Sequence, residues 1–385
     1  MKKTTCIASL MVCLSMGQAG AFAQNIRIDM NKTYPEKTIS LQKVADVKYI
    51  PLETTDEVLF NGVVTHLSAE GIAGFNKKEG DILVFDGTGK AIASFNHTGQ
   101  GPNEYNKIYH LDVDWKQKEV YVQDNFRQKI RIYSLNGSHL RTIDLQETMQ
   151  QGDLYSFSDT RLIYYAQPKS KPVTAYEPVT LLSKKDASKV TLPFTKTDDN
   201  LVKATGGPFG DMKMSAKNVN LLCKKGDEVY VNEVTADVIY RVESNHALTP
   251  VVERTPSYQD ASGQDFFLML TGANARYYFF KRQQALLEFQ GNAATDTKST
   301  YVAYDRKEKQ LLNPTFTNED YPSQDIPMSK LLQCAGSANR CYLQLEAFKL
   351  KEALAEGKLK GTLKSIAEKL DEEDNPVLMV VEFKK

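Results

Sequence analysis

Four side chains in the first third of the sequence have types and spacing that could do chemistry: His66, His110, Asp112 and Asp114. Asp112 and Asp114 alternate in the segment LDVDW. The two-residue period of a strand would turn both carboxylates to one face. Paired carboxylates can bind calcium or exchange protons, and neighbouring histidines could complete a divalent-metal site. Each residue also has an ordinary role, the histidines as strand residues with local hydrogen bonds and the aspartates as ion-paired residues at a sheet end. A second group, Asp124, Asn125 and Arg127 in QDNFRQK, falls in a turn. It could grip a ligand, because turns carry binding groups on a rigid scaffold, but a salt-bridged turn would use the same residues. A third stretch, TGQGPNEY (98–105), sets two glycines one residue apart and invites comparison with a phosphate loop. It has no third glycine, the segments on both sides read as strands, and Pro102 has no N–H to offer an anion. No GxSxG, HExxH or Walker pattern occurs, so catalytic residues stay unassigned. No cofactor is called for, a divalent ion at the histidine–aspartate group being the one candidate.

The elements that must position these residues recur along the chain. ILVFDGTGKAIASF from Ile82 and IRIYSLNGSHLRTI from Ile130 both read strand, turn, strand. Each has an aromatic fourth (Phe85, Tyr133), a glycine eighth (Gly89, Gly137) and apolar residues eleventh and fourteenth (Ile92 and Phe95; Leu140 and Ile143). Looser copies begin at Val179, Val238 and Tyr301, with Asp186, Asn245 and Glu308 at the turn position. A hairpin repeating every 48 to 63 residues in an all-strand pattern is the signature of a β-propeller blade, with insertions in the later blades. Upstream strands complete the units: 71–76, 119–125, 161–166, 228–234 and 285–290 as second strands, 63–68, 109–115 and 219–225 as innermost ones. The tetrapeptide EVYV stands at the same place in two of them, at Glu119 and Glu228.

The sixth unit has to come from both ends of the chain. Strands 341–348 and 377–383 lack a partner near the C-terminus, and 47–53 lacks one near the N-terminus. A ring closes with no open edge if these pair. The expected fold is therefore all-β, a six-bladed propeller over 45–385 closed by N- and C-terminal strands, after a lead segment 24–44. The stretch 255–280 does not resolve into strands from its pattern, which leaves a seventh blade open. Between the last two strands lies a helical insert at about 345–375. There Leu363, Ile366, Ala367 and Leu370 form an apolar stripe at helical spacing. Its expected role is to cover one edge of the last blade, or to dock a partner.

Residues 1–23 read as a secretory signal, with Lys2 and Lys3, a short apolar run, and Ala21-Phe22-Ala23 as a cleavage site. Cys13 could carry a lipid anchor, but Val12 stands where a small residue is expected, so anchoring is the second choice. Without the signal the chain has 46 basic and 48 acidic residues, a net charge of −2. Such a balance gives no bulk attraction for nucleic acid or anionic lipid. No later segment is apolar enough over 20 residues to cross a bilayer. In an oxidising compartment Cys334 and Cys341 could pair, leaving Cys223 as a buried thiol.

YIPLETTDE, ILVFDGTGK, TGQGPNEY and the closing NPVLMVVEF together resemble a family of exported six-bladed β-propellers of Gram-negative envelopes, related to NHL-repeat propellers. The family's link typically reads GxGxGPGE[FY]; here Asn103 replaces a glycine. The resemblance spans about 45–385 and implies the fold and export. Because function in that family is largely unassigned, it transfers no catalytic residues. Three functions follow as expectations. The first is a periplasmic or surface-exposed module that binds a glycan, peptide or protein without catalysis. The second is a metal-dependent hydrolase or lyase with its site in the central channel. The third is an envelope scaffold that docks a partner through the insert.

Overall fold

The computed structural model describes residues 25–384 except 168–175, 196–200, 206–211, 216–220, 227, 259, 261–265, 291–292, 295–297, 330 and 332–339. The signal segment, Cys13 and Cys334 lie outside the described residues.

Six sheets stand in a ring. The first is Val63–Leu67, Gly71–Phe75, Ile82–Asp86 and Ala91–Phe95, paired in chain order. The second is His110–Asp114, Glu119–Asp124, Lys129–Ser134 and His139–Asp144, and the third runs Thr148–Ser156, Arg161–Gln167, Val179–Ser183 and Lys189–Thr191. The fourth comprises Leu222–Lys225, Glu228–Val231, Val238–Val242 and Leu248–Thr255. In the fifth, Phe266–Ala273, Tyr277–Gln284, Ser299–Asp305 and Gln310–Asn318 follow in order. The sixth is closed as expected: Arg340–Leu345 pairs with Val377–Phe383, which pairs with the N-terminal strand Ala45–Pro51. All five hairpins found by self-comparison are third and fourth strands of their blades.

A hydrophobic core fills each boundary between neighbouring blades, and strand alternation explains how. Ile72 and Phe85 pack toward the sixth blade, with Leu378 and Val380. Their chain neighbours Ala73 and Val84 pack toward the second, with Leu111 and Val120. The middle strands are thus buried on both faces and read as unbroken apolar runs, while an outer strand such as Ala91–Phe95 alternates between half-buried and exposed. The core between the fifth and sixth blades is aromatic, with Tyr277, Phe279, Phe316 and Phe383 in mutual edge and stacked contacts. Tyr342 fastens the closure by donating its hydroxyl to the Val64 carbonyl at 2.6 Å.

Several details differ from the sequence pattern. The strand expected at 285–290 is not a blade strand. Leu286–Gln290 pairs in parallel with Leu201–Thr205 in an accessory sheet, and Tyr277–Gln284 takes the second position in the fifth blade. Both segments, YYFFKRQQ and LLEFQ, carry strand-favouring aromatic or aliphatic residues, and pairing with Phe266–Ala273 and Ser299–Asp305 puts the first of them in the blade. The stretch that resisted parsing holds the first two strands of that blade, not a seventh unit. In the looser hairpins the left-handed residue falls one place after the expected turn position, at Ala187, His246 and Lys309. Asp186 and Asn245 instead accept the N–H two residues on, which supports the turn from its preceding residue.

The lead segment is part of the rim. Ile26–Asp29 adds a parallel strand outside the fourth blade, and Glu36–Ser40 does so on the fifth. The buried Arg282 guanidinium donates to the carbonyls of Met30 and Lys32 at 3.2 and 2.7 Å, locking the crossover between them. A one-turn helix, α1 (Leu41–Val44), then leads into the closing strand. The helical insert is α2 (Ala347–Ala355) and α3 (Gly361–Ala367), which bury Leu350, Ala353, Leu363 and Ala367 against each other and Val377.

Candidate functional site

The inner strands bring His66, Asp112, Ser156 and Lys224 together from four consecutive blades. His66 Nδ1 lies 3.1 Å from Asp112 Oδ1, and both residues are buried. Asp112 Oδ2 accepts the Ser156 N–H and stands 3.3 Å from the Lys224 ammonium. Burial alone would raise the Asp112 carboxyl, but the Lys224 charge and the His66 hydrogen bond outweigh it and hold the carboxyl well below the ordinary range. The carboxylate therefore fixes the proton of His66 on Nδ1. His110, two residues before Asp112 on the same strand, sits edge-on to Tyr155 at 5.0 Å. Burial lowers its pKa to about 4, with Lys224 and His66 adding to the effect against the pull of Asp112, so it is neutral at pH 7.

Asp114 shares a strand with Asp112 but not its partners. Its Oδ2 takes the Lys184 ammonium at 2.6 Å. Lys184 also donates to Ser156 Oγ and the Ser158 carbonyl, and it lies over the Tyr121 ring. The four candidate metal ligands are thus split: His66 and Asp112 meet, Asp114 pairs elsewhere, and an ammonium group stands on each carboxylate. Among the described residues no three His, Cys, Asp or Glu side chains converge as a metal site would require.

Asp124, Asn125 and Arg127 come together around the link between the first two blades. Buried Asp124 accepts Arg131 Nη1 at 3.1 Å and the Asn106 N–H at 2.9 Å. Asn125 accepts from the Gln123 amide. The Arg127 guanidinium bonds the carbonyls of Gly99 and Gly101 and the Gln100 side chain, at 2.7 to 3.2 Å. The same link is braced from inside, with Glu104 Oε2 accepting the Gly101 N–H at 2.6 Å and lying 2.0 Å from where a Gly99 Cβ would sit. Tyr105 and Tyr133 add hydroxyl bonds to the Gly80 and Asn103 carbonyls. The glycines of TGQGPNEY therefore make room for a carboxylate of their own chain.

A feature that the sequence pattern did not reveal is a cavity of about 510 Å³ beside the insert. Four elements wall it: the start of the first blade at Val63, the extra strand Tyr321–Pro327 outside the fifth blade, the end of Arg340–Leu345, and α2. No local pattern signals it, because its first-blade wall at Val63 lies 280 residues before Leu343. The insert's amphipathic stripe was the one available hint.

Ring, inter-blade cores and terminal closure define a six-bladed β-propeller. The chain belongs to the DUF4934 family, a domain of unknown function, with a match over residues 25–382. No curated protein matches it. Among solved structures it is similar to a Bacteroides fragilis protein described as exported, at 14% identity and a TM-score of 0.61, over 93% of this chain and all of that one. It is also similar to a DUF4221-family member from Bacteroides vulgatus, at 9% identity and a TM-score of 0.51, over 89% of this chain and 98% of that one. These likenesses show the fold. Among the described residues no helix is long and apolar enough to cross a membrane.

Proposed function

We propose that this propeller is an exported, non-catalytic module that binds a ligand or partner in the cell envelope. The carrying observation is how its reactive groups are spent. Asp112 and Asp114 are neutralised by Lys224 and Lys184, and Arg127 is bound to backbone carbonyls. The cavity, by contrast, is lined by polar side chains with unused hydrogen-bonding capacity: among the described residues those of Gln324, Asp325 and Ser329 make no hydrogen bond. Concave sites with an apolar floor and a few polar groups are where small ligands bind. Export is supported by the signal pattern at 1–23 and by the description of the Bacteroides fragilis relative in fold. A channel metal would have to displace two ammonium groups, so a metal-dependent hydrolase or lyase has weaker support. The test is to incubate the mature chain with glycan and peptide libraries, follow thermal unfolding, and recover the bound compound by mass spectrometry. A raised midpoint with the compound recovered unchanged is expected. Turnover of that compound, or dependence on a divalent ion, would overturn the reading.

A further inference from the structure

We propose that the 510 Å³ cavity beside the insert is a binding site for a neutral oligosaccharide. This rests on the binding-module reading above and adds the site and ligand class. The volume falls within the range of roughly 300–1,000 Å³ usual for small-ligand sites. The floor is aliphatic, from the buried side chains of Ile326, Leu343 and Leu350. Around it stand Gln324, Gln344 and Ser329, the phenol of Tyr321, and three charged groups, Asp325, Glu346 and Lys349.

This layout fits an amphipathic ring. A pyranose offers C–H faces to an apolar floor or to Tyr321, and hydroxyls at its edge to amides and carboxylates, each of which can engage two adjacent groups. Gln344 is already oriented by donating to Glu346 Oε1 at 3.3 Å, which leaves the other carboxylate oxygen and the amide oxygen for hydroxyl donors. The lining residues include two carboxylates, Asp325 and Glu346, and one ammonium, Lys349, whose Nζ lies over the Phe348 ring, so the lining is net negative and works against phosphorylated, sulfated or uronic ligands. A peptide docking as an added strand has a poor template here. The strand on the cavity wall, Tyr321–Pro327, carries Pro322 and Pro327, neither of which can donate an N–H.

The experiment is isothermal titration of the mature chain with neutral oligosaccharides of glucose, mannose, xylose and N-acetylglucosamine. Oligogalacturonate and a lysine-rich peptide serve as contrasts. At least one neutral sugar should bind and oligogalacturonate should not. Gln324→Ala and Asp325→Ala should each weaken that binding by about tenfold, as for loss of a hydrogen bond to a polar ligand group. Asp325 is exposed and Gln324 half-buried, and the thermal midpoints should stay within a degree or so of the unchanged protein. Sugar binding untouched by both substitutions would overturn the site, leaving the binding-module reading in place. Binding of the peptide alone, or of nothing in the panel, would overturn the ligand class. A sugar that binds here and is cleaved would overturn the non-catalytic reading and leave the site standing.

Discussion

His66 on the first blade and Asp112 on the second face each other across the blade boundary, Nδ1 to Oδ1 at 3.1 Å, with Lys224 of the fourth blade on the other carboxylate oxygen. With the Ser156 N–H of the third blade also on that oxygen, one carboxylate ties four inner strands together in a buried setting. Removing the carboxylate leaves the Lys224 ammonium without its counter-charge.

Asp112→Ala should therefore lower unfolding free energy by about 3–5 kcal/mol, the usual cost of breaking a buried pair on one side. Asp112→Ala with Lys224→Met should recover much of the loss, because no buried ammonium is then left alone. Urea denaturation of the two variants checks this. Equal destabilisation by both would show that Lys224 is solvated and not coupled to the carboxylate.

Stability should fall as the solution is acidified below pH 6.5, because the fold keeps His110 neutral. His110 has a folded pKa of about 4, against about 6.5 in an unfolded chain. Between these values the unfolded state binds the proton and the folded state does not. Stability is therefore full above pH 6.5 and falls as the pH drops toward 4. Asp112, also depressed, extends the loss at more acid pH, from about 4 down through its folded value. His110→Gln should flatten the upper part of the profile by about 1–2 kcal/mol, allowing for partial exposure. Stability measured by denaturant melts from pH 7 to 4 is the readout.

Arg127→Lys should loosen the 98–105 link. A lysine cannot span the Gly99 and Gly101 carbonyls as the planar guanidinium does. The expected loss is about 1–2 kcal/mol, with faster hydrogen exchange at the Gly99 and Gly101 amides. Unchanged exchange would mean that Glu104 and Tyr105 hold the link without it.

Gly71→Ala should be among the costliest small changes in the chain. A Cβ there would lie 2.2 Å from the Trp115 ring and 2.5 Å from the Phe85 carbonyl, in a strand buried on both faces. Overpacking of this kind costs about 1–3 kcal/mol. Thermal melts should show the drop; a neutral result would mean that the Trp115 ring moves aside freely.

Deleting residues 25–40 should destabilise the ring and promote aggregation. Ile26, Ile28, Met30 and Ile39 leave their cores, and Arg282 loses both carbonyl partners. The outer edges of the fourth and fifth blades are then open to pairing between molecules. Denaturant melts and light scattering report the two effects, and a monomeric truncated chain of unchanged stability would contradict the assignment.

Much of the architecture is legible in local pattern. Gly89 and Gly137 mark turns because only the left-handed region, at φ of 92° and 88°, continues the hairpin there, and glycine reaches it without strain. The two EVYV segments become equivalent second strands in which Tyr121 and Tyr230 each donate to the glutamate two residues before, Glu119 and Glu228. Strand alternation likewise set Asp112 and Asp114 on one side. These features depend on neighbours within one hairpin, so the amino-acid order determines them.

What the order of residues left open depends on separations that no local pattern encodes. Lys184 reaches Asp114 from 70 positions away, and Lys224 reaches Asp112 from 112. Stacking of the blades around the ring makes them neighbours and turns candidate metal ligands into salt-bridged braces. Leu286–Gln290 and Tyr277–Gln284 both carry strand-favouring residues, and pairing partners decide which joins a blade. The cavity is open to the same rule: its walls come from the first, fifth and sixth blades and from α2, so its shape and charge exist only once the last blade has closed on the first.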